Sequence, residues 1–277
     1  MRLALLAALA ACGSGGRTDL LDPDAAADVV DATAAPDALV LVDLDEDGLD
    51  DREEQALAED YLPFISLDPD DGCARSGLVA RVRRHPADVT KILIVYSHLF
   101  ERDCGLNGHV GDNEAFGIAI DPEIPPPAGI LAIRTASHQN TICERVTECS
   151  TCSGDARSAC DLASDGGAQW PVLYASKDKH GQYANKSKCS LLGTCFDSCA
   201  LNPQRARPPI VNVGEPGKPL VGDLTAQGFI NATHGWTEPS LMSFDPWETD
   251  KDFGSAGNVA DDLVDLEFEA APCGSGA

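Results

Sequence analysis

The chain has 277 residues, 43% of them hydrophobic, with 45 acidic against 20 basic side chains and a formal net charge of −25. Phosphate contacts need clustered Lys and Arg, so this balance argues against a nucleic-acid partner. More than half of the imbalance lies early, because residues 13–60 carry 16 acids against Arg17 and Arg52, a net of −14.

At the start of the chain, Met1-Arg2 precedes an apolar run from Leu3 to Ala11 and then Cys12. The run is far shorter than the ~20 residues that span a bilayer, and its charged start is that of an export signal. Leu9-Ala10-Ala11-Cys12 resembles a bacterial lipobox. That resemblance implies a lipoprotein signal peptide over residues 1–11 and lipidation of Cys12. It also implies a lipid-anchored, exported protein at the bacterial outer membrane or cell surface. An ordinary signal peptide with a chance cysteine is the alternative. Residues 12–42 read as the lipid anchor and a disordered acidic tether, since their Asp, Ala, Gly and Pro content leaves few large apolar groups to bury.

Next comes Asp43-Leu44-Asp45-Glu46-Asp47-Gly48-Leu49-Asp50-Asp51-Arg52-Glu53-Glu54. Asp43, Asp45, Asp47, Asp51 and Glu54 stand at positions 1, 3, 5, 9 and 12 of an EF-hand-type calcium loop, with Gly48 at the turn and the Leu49 carbonyl at position 7. Oxygens at this spacing converge on one Ca²⁺, and Glu54 can close the site as a bidentate ligand. Position 8, ordinarily aliphatic, is Asp50. The arrangement resembles the Asp-x-Asp-x-Asp-Gly-Leu-x-Asp repeats of bacterial surface proteins and thrombospondin type 3 repeats. A merely solvated acidic run is the competing reading. Residues 43–60 form this loop and a short helix from Glu53 towards Tyr61, with Ala56, Leu57 and Leu62 as its apolar side.

From residue 61 to 277 the chain turns β-rich. Strand-length runs bounded by Gly, Pro, Asn or Asp occur at 78–83, 90–96, 114–120, 129–135, 172–175, 210–213 and 263–268. The expected fold is mainly β: an antiparallel, jelly-roll-like β-sandwich with long disulfide-pinned loops and one short helix after the calcium loop. Ten cysteines besides Cys12 suggest up to five disulfides in an oxidising compartment. Zinc is the competitor, because Cys149-x-x-Cys152 and Cys195-x-x-x-Cys199 have ligand-like spacing. Trp236 and Trp247 lie near acidic turns, where exposed rings would suit sugars or headgroups and buried rings a sandwich core.

The chemistry concentrates in Gly108-His109-Val110-Gly111-Asp112-Asn113-Glu114 and in Lys179-His180-Gly181-Gln182-Tyr183. Asp112 and Glu114 are two apart, so an extended chain puts them on one face, with His109 able to fold over from a Gly-flanked turn. Carboxylates suit Mg²⁺ or Ca²⁺, and an imidazole widens the choice to Mn²⁺ or Zn²⁺. A solvated turn is the plain alternative. The heptapeptide resembles the core of the necrosis- and ethylene-inducing-peptide-like cytolysins. It is also similar to the Gly-Asp-Trp-Glu region of the vacuolar protein sorting-associated protein 62 family. Tyr61 to Pro69 and Pro171 to Ser176 resemble that second family's opening and later strand. Here Asn113 stands where a Trp is expected, and Gly111 where the cytolysins have a second His. The resemblance implies a second divalent cation (Mg²⁺, Ca²⁺ or Mn²⁺) at His109, Asp112 and Glu114, with Asp103 or Glu101 as the upstream acid. It also places His180 opposite, as a proton donor or outer ligand.

Neither a Gly-x-Ser-x-Gly elbow, nor a phosphate-binding Gly loop, nor a His-Glu-x-x-His helix is present. Three functions remain. The first is a divalent-cation-dependent binding module for glycans or lipid headgroups. The second is a metal-dependent hydrolase using His109, Asp112, Glu114 and His180. The third is a purely structural calcium-binding surface protein.

Overall fold

The computed structural model describes residues 41–220 except 74–75, 107, 139–141, 152–157, 190–195, 202 and 216. The signal peptide, Cys12, the tether up to Val40, the run at 263–268, Cys152, Cys195, Cys273, Trp236 and Trp247 lie outside the described residues.

Helix α1 (Asp51–Asp60) is followed by β1 (Phe64–Leu67), β2 (Ser76–Arg84), β3 (Ile92–Arg102), β4 (Val110–Ile120), β5 (Ile130–Ser137) and β6 (Arg145–Ser150). Then come β7 (Leu162–Asp165), β8 (Ala168–Ala175), β9 (Gln182–Tyr183) and the helical turn α2 (Lys186–Cys189). The last elements are β10 (Gln204–Ala206), β11 (Ile210–Asn212), β12 (Gly214–Glu215) and β13 (Lys218–Pro219). One sheet has six strands in the order β11-β2-β3-β4-β5-β6. The other has five, in the order β10-β1-β8-β7 with β9 also on β8, and β12 pairs β13 separately.

The two larger sheets share a core. Tyr96↔Phe116 and Ile94↔Ile118 are opposite one another on β3 and β4, so their side chains point to one face. That face carries Leu78, Ala80, Val82, Ile92 and Ile133 as well, and Ile65 of β1 and Leu173 of β8 belong to the same buried cluster. Tyr96 stacks on Phe116 at 4.7 Å between ring centres. Its hydroxyl donates to the Ala58 carbonyl at 2.9 Å, which ties α1 to the sheet. Each of these large side chains contributes roughly 1.5–3 kcal/mol by leaving water. β3 and β4 are buried along both faces for most of their length. That burial explains why Ile92 to Tyr96 is a continuous apolar run rather than an alternating one.

The mainly β, sandwich-like architecture is the one expected, with four differences of detail. β1 pairs with β8 and β11 with β2 in parallel, which alternation of apolar residues cannot signal because it carries no strand direction. β4 begins at Val110 rather than Glu114, so Asp112 lies inside the strand along with Glu114. The buried side of α1 is Glu54 and Ala58, whereas Ala56 is exposed. A second helical turn, α2, follows β9. Asp50, the departure from the calcium-loop pattern, caps α1: its side chain accepts from the amides of Arg52 and Glu53.

Three disulfides are described: Cys73–Cys104, Cys149–Cys160 and Cys189–Cys199. Cys143 is also disulfide-bonded. Cys149 and Cys199 are therefore spent on disulfides rather than on zinc. Non-reducing peptide mapping is expected to recover these three pairs. Replacing Cys73 and Cys104 together, which opens a link across 31 residues, should cost about 3 kcal/mol in denaturant melts. A loss below about 1 kcal/mol would contradict that role.

Candidate functional site

The acidic loop before α1 folds as its spacing requires. Gly48 takes φ +90°, a conformation that side chains rarely adopt, and the chain turns there. Asp43 accepts from the amides of Asp47 and Gly48 at 3.1 and 3.0 Å, and Asp51 from that of Leu44 at 3.0 Å. Carboxylate oxygens of Asp43, Asp45 and Asp51 lie within 4.8 Å of one another, and so do those of Asp45, Asp47 and Glu54. All five acids expected from the sequence thus meet in two overlapping triads that share Asp45.

Arg83 acts on Asp47 by its charge, but burial outweighs it. Asp45 Oδ1, Asp47 Oδ2 and Glu54 Oε1 are buried without a hydrogen-bond partner, although Asp45 is only 2% exposed and Glu54 0%. Burial, reinforced by Asp47 and Asp45, pushes the Glu54 carboxyl up to about 9. Burial and Asp47 push Asp45 to about 6, and burial raises Asp47 as well. Buried carboxylates gathered in this way are costly unless something positive sits among them.

The loop rests on the far end of the described chain. Asp45 Oδ2 accepts from the Glu215 amide at 2.9 Å, and Glu54 Oε2 accepts from Asn212 Nδ2 at 3.0 Å. Sequence reading did not find Asn212 or Glu215. Only the short apolar run Ile210 to Val213, with Asn inside it, marked that stretch.

The second cluster lies at the end of the β3–β4 hairpin. Asp112 is opposite Phe100 and Glu114 opposite His98, on the core face of the sheet. The turn between the strands is tight: a side chain at Gly108 would meet the Asp103 carbonyl oxygen at 2.2 Å. Across from it, the turn 176–181 presents His180, fully buried and stacked on Phe100 at 3.8 Å with 5° between the planes. His180 Nδ1 lies 2.7 Å from Asp112 Oδ2. Its Nε2 is 3.3 Å from Asp71 Oδ2, an ion-pair contact outside good hydrogen-bond alignment. Burial acts to lower the His180 pKa, but the two carboxylates outweigh it and raise the imidazolium to about 9. Asp71 has its own supports, accepting from the amides of Asp178 and Cys73 at 3.0 and 2.7 Å.

Glu114 is the unsettled member. Its Oε2 is buried without a partner. Burial, with the charges of Asp112, Asp197 and Asp103 beside it, pushes its carboxyl well above the usual range. Asp197 accepts from His138 Nε2 at 2.5 Å and from the Tyr183 hydroxyl, while its Oδ1 is buried and unpartnered. Asp103 accepts from the Gly105 amide at 2.6 Å and has Lys179 Nζ at 3.6 Å.

The structure joins Asp112 to His180 and sets Asp112 and Asp103 near enough to Glu114 for their charges to act on it. His109 stands apart: it is exposed, and its Nδ1 is 2.6 Å from the Gly111 carbonyl oxygen. Neither it nor Asp103, Asp112, Glu114 or His180 joins a ligand triad within 4.8 Å among the described residues. Asp71, Phe100, His138 and Asp197 are neighbours of this cluster that the sequence alone did not single out. Asp71 had one signal, its place two residues before a cysteine that bonds Cys104 of the same hairpin.

No family model matches the chain, and no curated protein matches it. A solved structure is weakly similar. It is named "Toxin fold for microbial attack and plant defense" and aligns over 77% of this chain and 90% of its own at 13% identity. Its TM-score is 0.34, a likeness too slight to carry an argument about function. The disulfides fit an oxidising, extracellular setting. No helix among the described residues is long and apolar enough to cross a membrane.

Proposed function

We propose that this protein is an exported, calcium-binding β-sandwich that works as a divalent-cation-dependent binding module for oxygen-rich ligands, glycans or lipid headgroups, and is held at a membrane by lipid on Cys12. One observation carries the reading: Asp45, Asp47 and Glu54 bury three unpartnered carboxylate oxygens in a loop with calcium-ligand spacing. Ca²⁺ takes oxygen ligands at 2.3–2.6 Å, and the Leu49 carbonyl would complete the set. A second divalent cation near Asp112, Glu114 and Asp103 belongs to the same reading, supported by the unpartnered Glu114 Oε2. The hydrolase reading needs a free general acid or base within reach of substrate. His180 offers neither nitrogen freely, since both face carboxylates.

Metal content and calorimetry on the oxidised mature protein test this. One Ca²⁺ per chain should vanish in Asp45→Ala/Glu54→Ala, and a second binding event in Asp112→Ala/Glu114→Ala. Glycan and lipid arrays should lose signal when chelator is added. Array binding that is equal with and without chelator would refute a cation-dependent module.

A further inference from the structure

The acidic loop is tied to the 210–218 segment by contacts that a self-contained calcium loop would lack. Beyond the Asp45–Glu215 and Glu54–Asn212 bonds, Gln55 Oε1 accepts from the Asn212 amide at 2.8 Å and Gln55 Nε2 donates to the Ile210 carbonyl at 3.2 Å. Lys218 pairs with Glu46. Asn212 Oδ1 in turn accepts from the Gly214 amide at 3.1 Å, so one side chain fixes both the closing glutamate and the bend after β11. The partners are 155 to 172 residues apart in sequence.

Each of the two most buried ligands divides its oxygens. Glu54 gives Oε2 to Asn212 and leaves Oε1 unpartnered, and Asp45 gives Oδ2 to Glu215 and leaves Oδ1 unpartnered. β11 is the edge strand of the six-stranded sheet and pairs with β2 through only three residues. A parallel edge this short holds poorly by itself. The loop and α1 support it further, while past its end Val213 donates to the Ala80 carbonyl and Arg81 and Arg83 of β2 reach Gly214 and Glu215.

From these contacts we infer that a cation in the acidic loop is a long-range staple: Glu54 holds it through Oε1 alone, Asn212 is the positioning residue for Glu54, and occupancy of the loop fixes residues 210–215 in place. This rests on the calcium reading above. With the cation removed, the buried acid oxygens of Asp45, Asp47 and Glu54 are left without a partner and the loop spreads towards water. Asp45 and Glu54 then leave Glu215 and Asn212, and the edge strand loosens while β3 and β4 stay closed. One-oxygen ligation by the closing glutamate also narrows the preference for Ca²⁺ over Mg²⁺, because Ca²⁺ benefits from the extra oxygen of a bidentate glutamate and octahedral Mg²⁺ does not.

Hydrogen exchange read by mass spectrometry on the oxidised mature protein, with Ca²⁺ or with chelator, tests the staple, and calorimetry runs alongside. Ca²⁺ should slow exchange across 210–215 by about tenfold or more and leave 92–100 unchanged, in keeping with local opening of weakly held segments. Asn212→Ala should still bind one Ca²⁺, roughly tenfold more weakly, as expected for loss of a hydrogen bond to a charged group. It should also lose most of the calcium-dependent protection at 210–215. With Oε2 released, its Ca²⁺/Mg²⁺ affinity ratio should rise, a readout that a purely structural asparagine would leave alone. Calcium binding with unchanged exchange at 210–215 overturns the staple and leaves the calcium reading standing. No calcium binding in the unsubstituted protein overturns both. An Asn212→Ala protein with unaltered affinity and unaltered ratio removes Asn212 from its positioning role.

Discussion

Replacing His180 with Ala should cost about 3–5 kcal/mol of stability, the range for breaking a buried ion pair by deleting one partner. The substitution leaves Asp112 and Asp71 facing each other across the space the imidazolium filled, and it strips the stacked ring from Phe100. Urea melts of the oxidised protein measure this directly. A loss below about 1 kcal/mol would mean that the two carboxylates find other partners. The pH dependence has a definite sign. His180 is raised to about 9 in the fold, against ~6.5 for an unfolded histidine. Its contribution, about 3 kcal/mol by linkage, is fully present below pH ~6.5 and is lost as pH rises through 9. For Asp71, burial pushes upward, but the facing His180 imidazolium and the bonds from two backbone amides prevail and hold it below its ordinary value. That share is present above pH ~4 and is lost on acidification. Stability should therefore peak in mildly acidic to neutral solution and fall on both sides. His180→Ala should flatten the alkaline limb.

Chelation should lower the melting temperature by on the order of 10 °C. A ligand at a thousand times its Kd stabilises the native state by about 4 kcal/mol, and each kcal/mol moves the midpoint of a domain of this size by roughly 2–4 °C. The loop is a credible place for an effect that large, because Glu54 and Asp45 are buried beside the Leu49 and Ala58 of the core rather than on a solvated surface. Calorimetric scans with Ca²⁺, Mg²⁺ and chelator measure it. Coincident scans would mean that the three unpartnered oxygens do without a divalent ion.

The acidic loop was legible because its chemistry is local: five acids at fixed spacing around Gly48 determine where their oxygens go. The strands of the larger sheet were legible for a similar reason, since runs such as Ile92 to Tyr96 have no stable alternative to burial. The second site was only half legible. Asp112 and Glu114 share a face because a strand alternates, and that much follows from their separation. What their oxygens meet depends on residues brought in from elsewhere: Asp71 through the Cys73–Cys104 link, Asp197 through the loop that Cys199 anchors, and His180 through β8. His109 illustrates the limit. Its spacing fits a ligand, yet its ring is exposed, with Nδ1 donating to the Gly111 carbonyl and only Nε2 left to hold an ion. Parallel pairing was hidden too, since it is a choice among distant partners that no local pattern records.

The sheet order has a consequence for how the chain is made. Ile65 of β1 sits between Leu173 and Ala206, and Leu78 of β2 lies beside Ile210. β1, which emerges early, must wait for more than a hundred further residues before either of its neighbours exists, whereas β2 meets β3 directly after it. Topologies dominated by such remote pairings fold slowly and expose apolar edges meanwhile. β1 is therefore a segment in need of shielding until β8 and β10 are made, and pulse-chase proteolysis should find it protected after the β2–β3 hairpin.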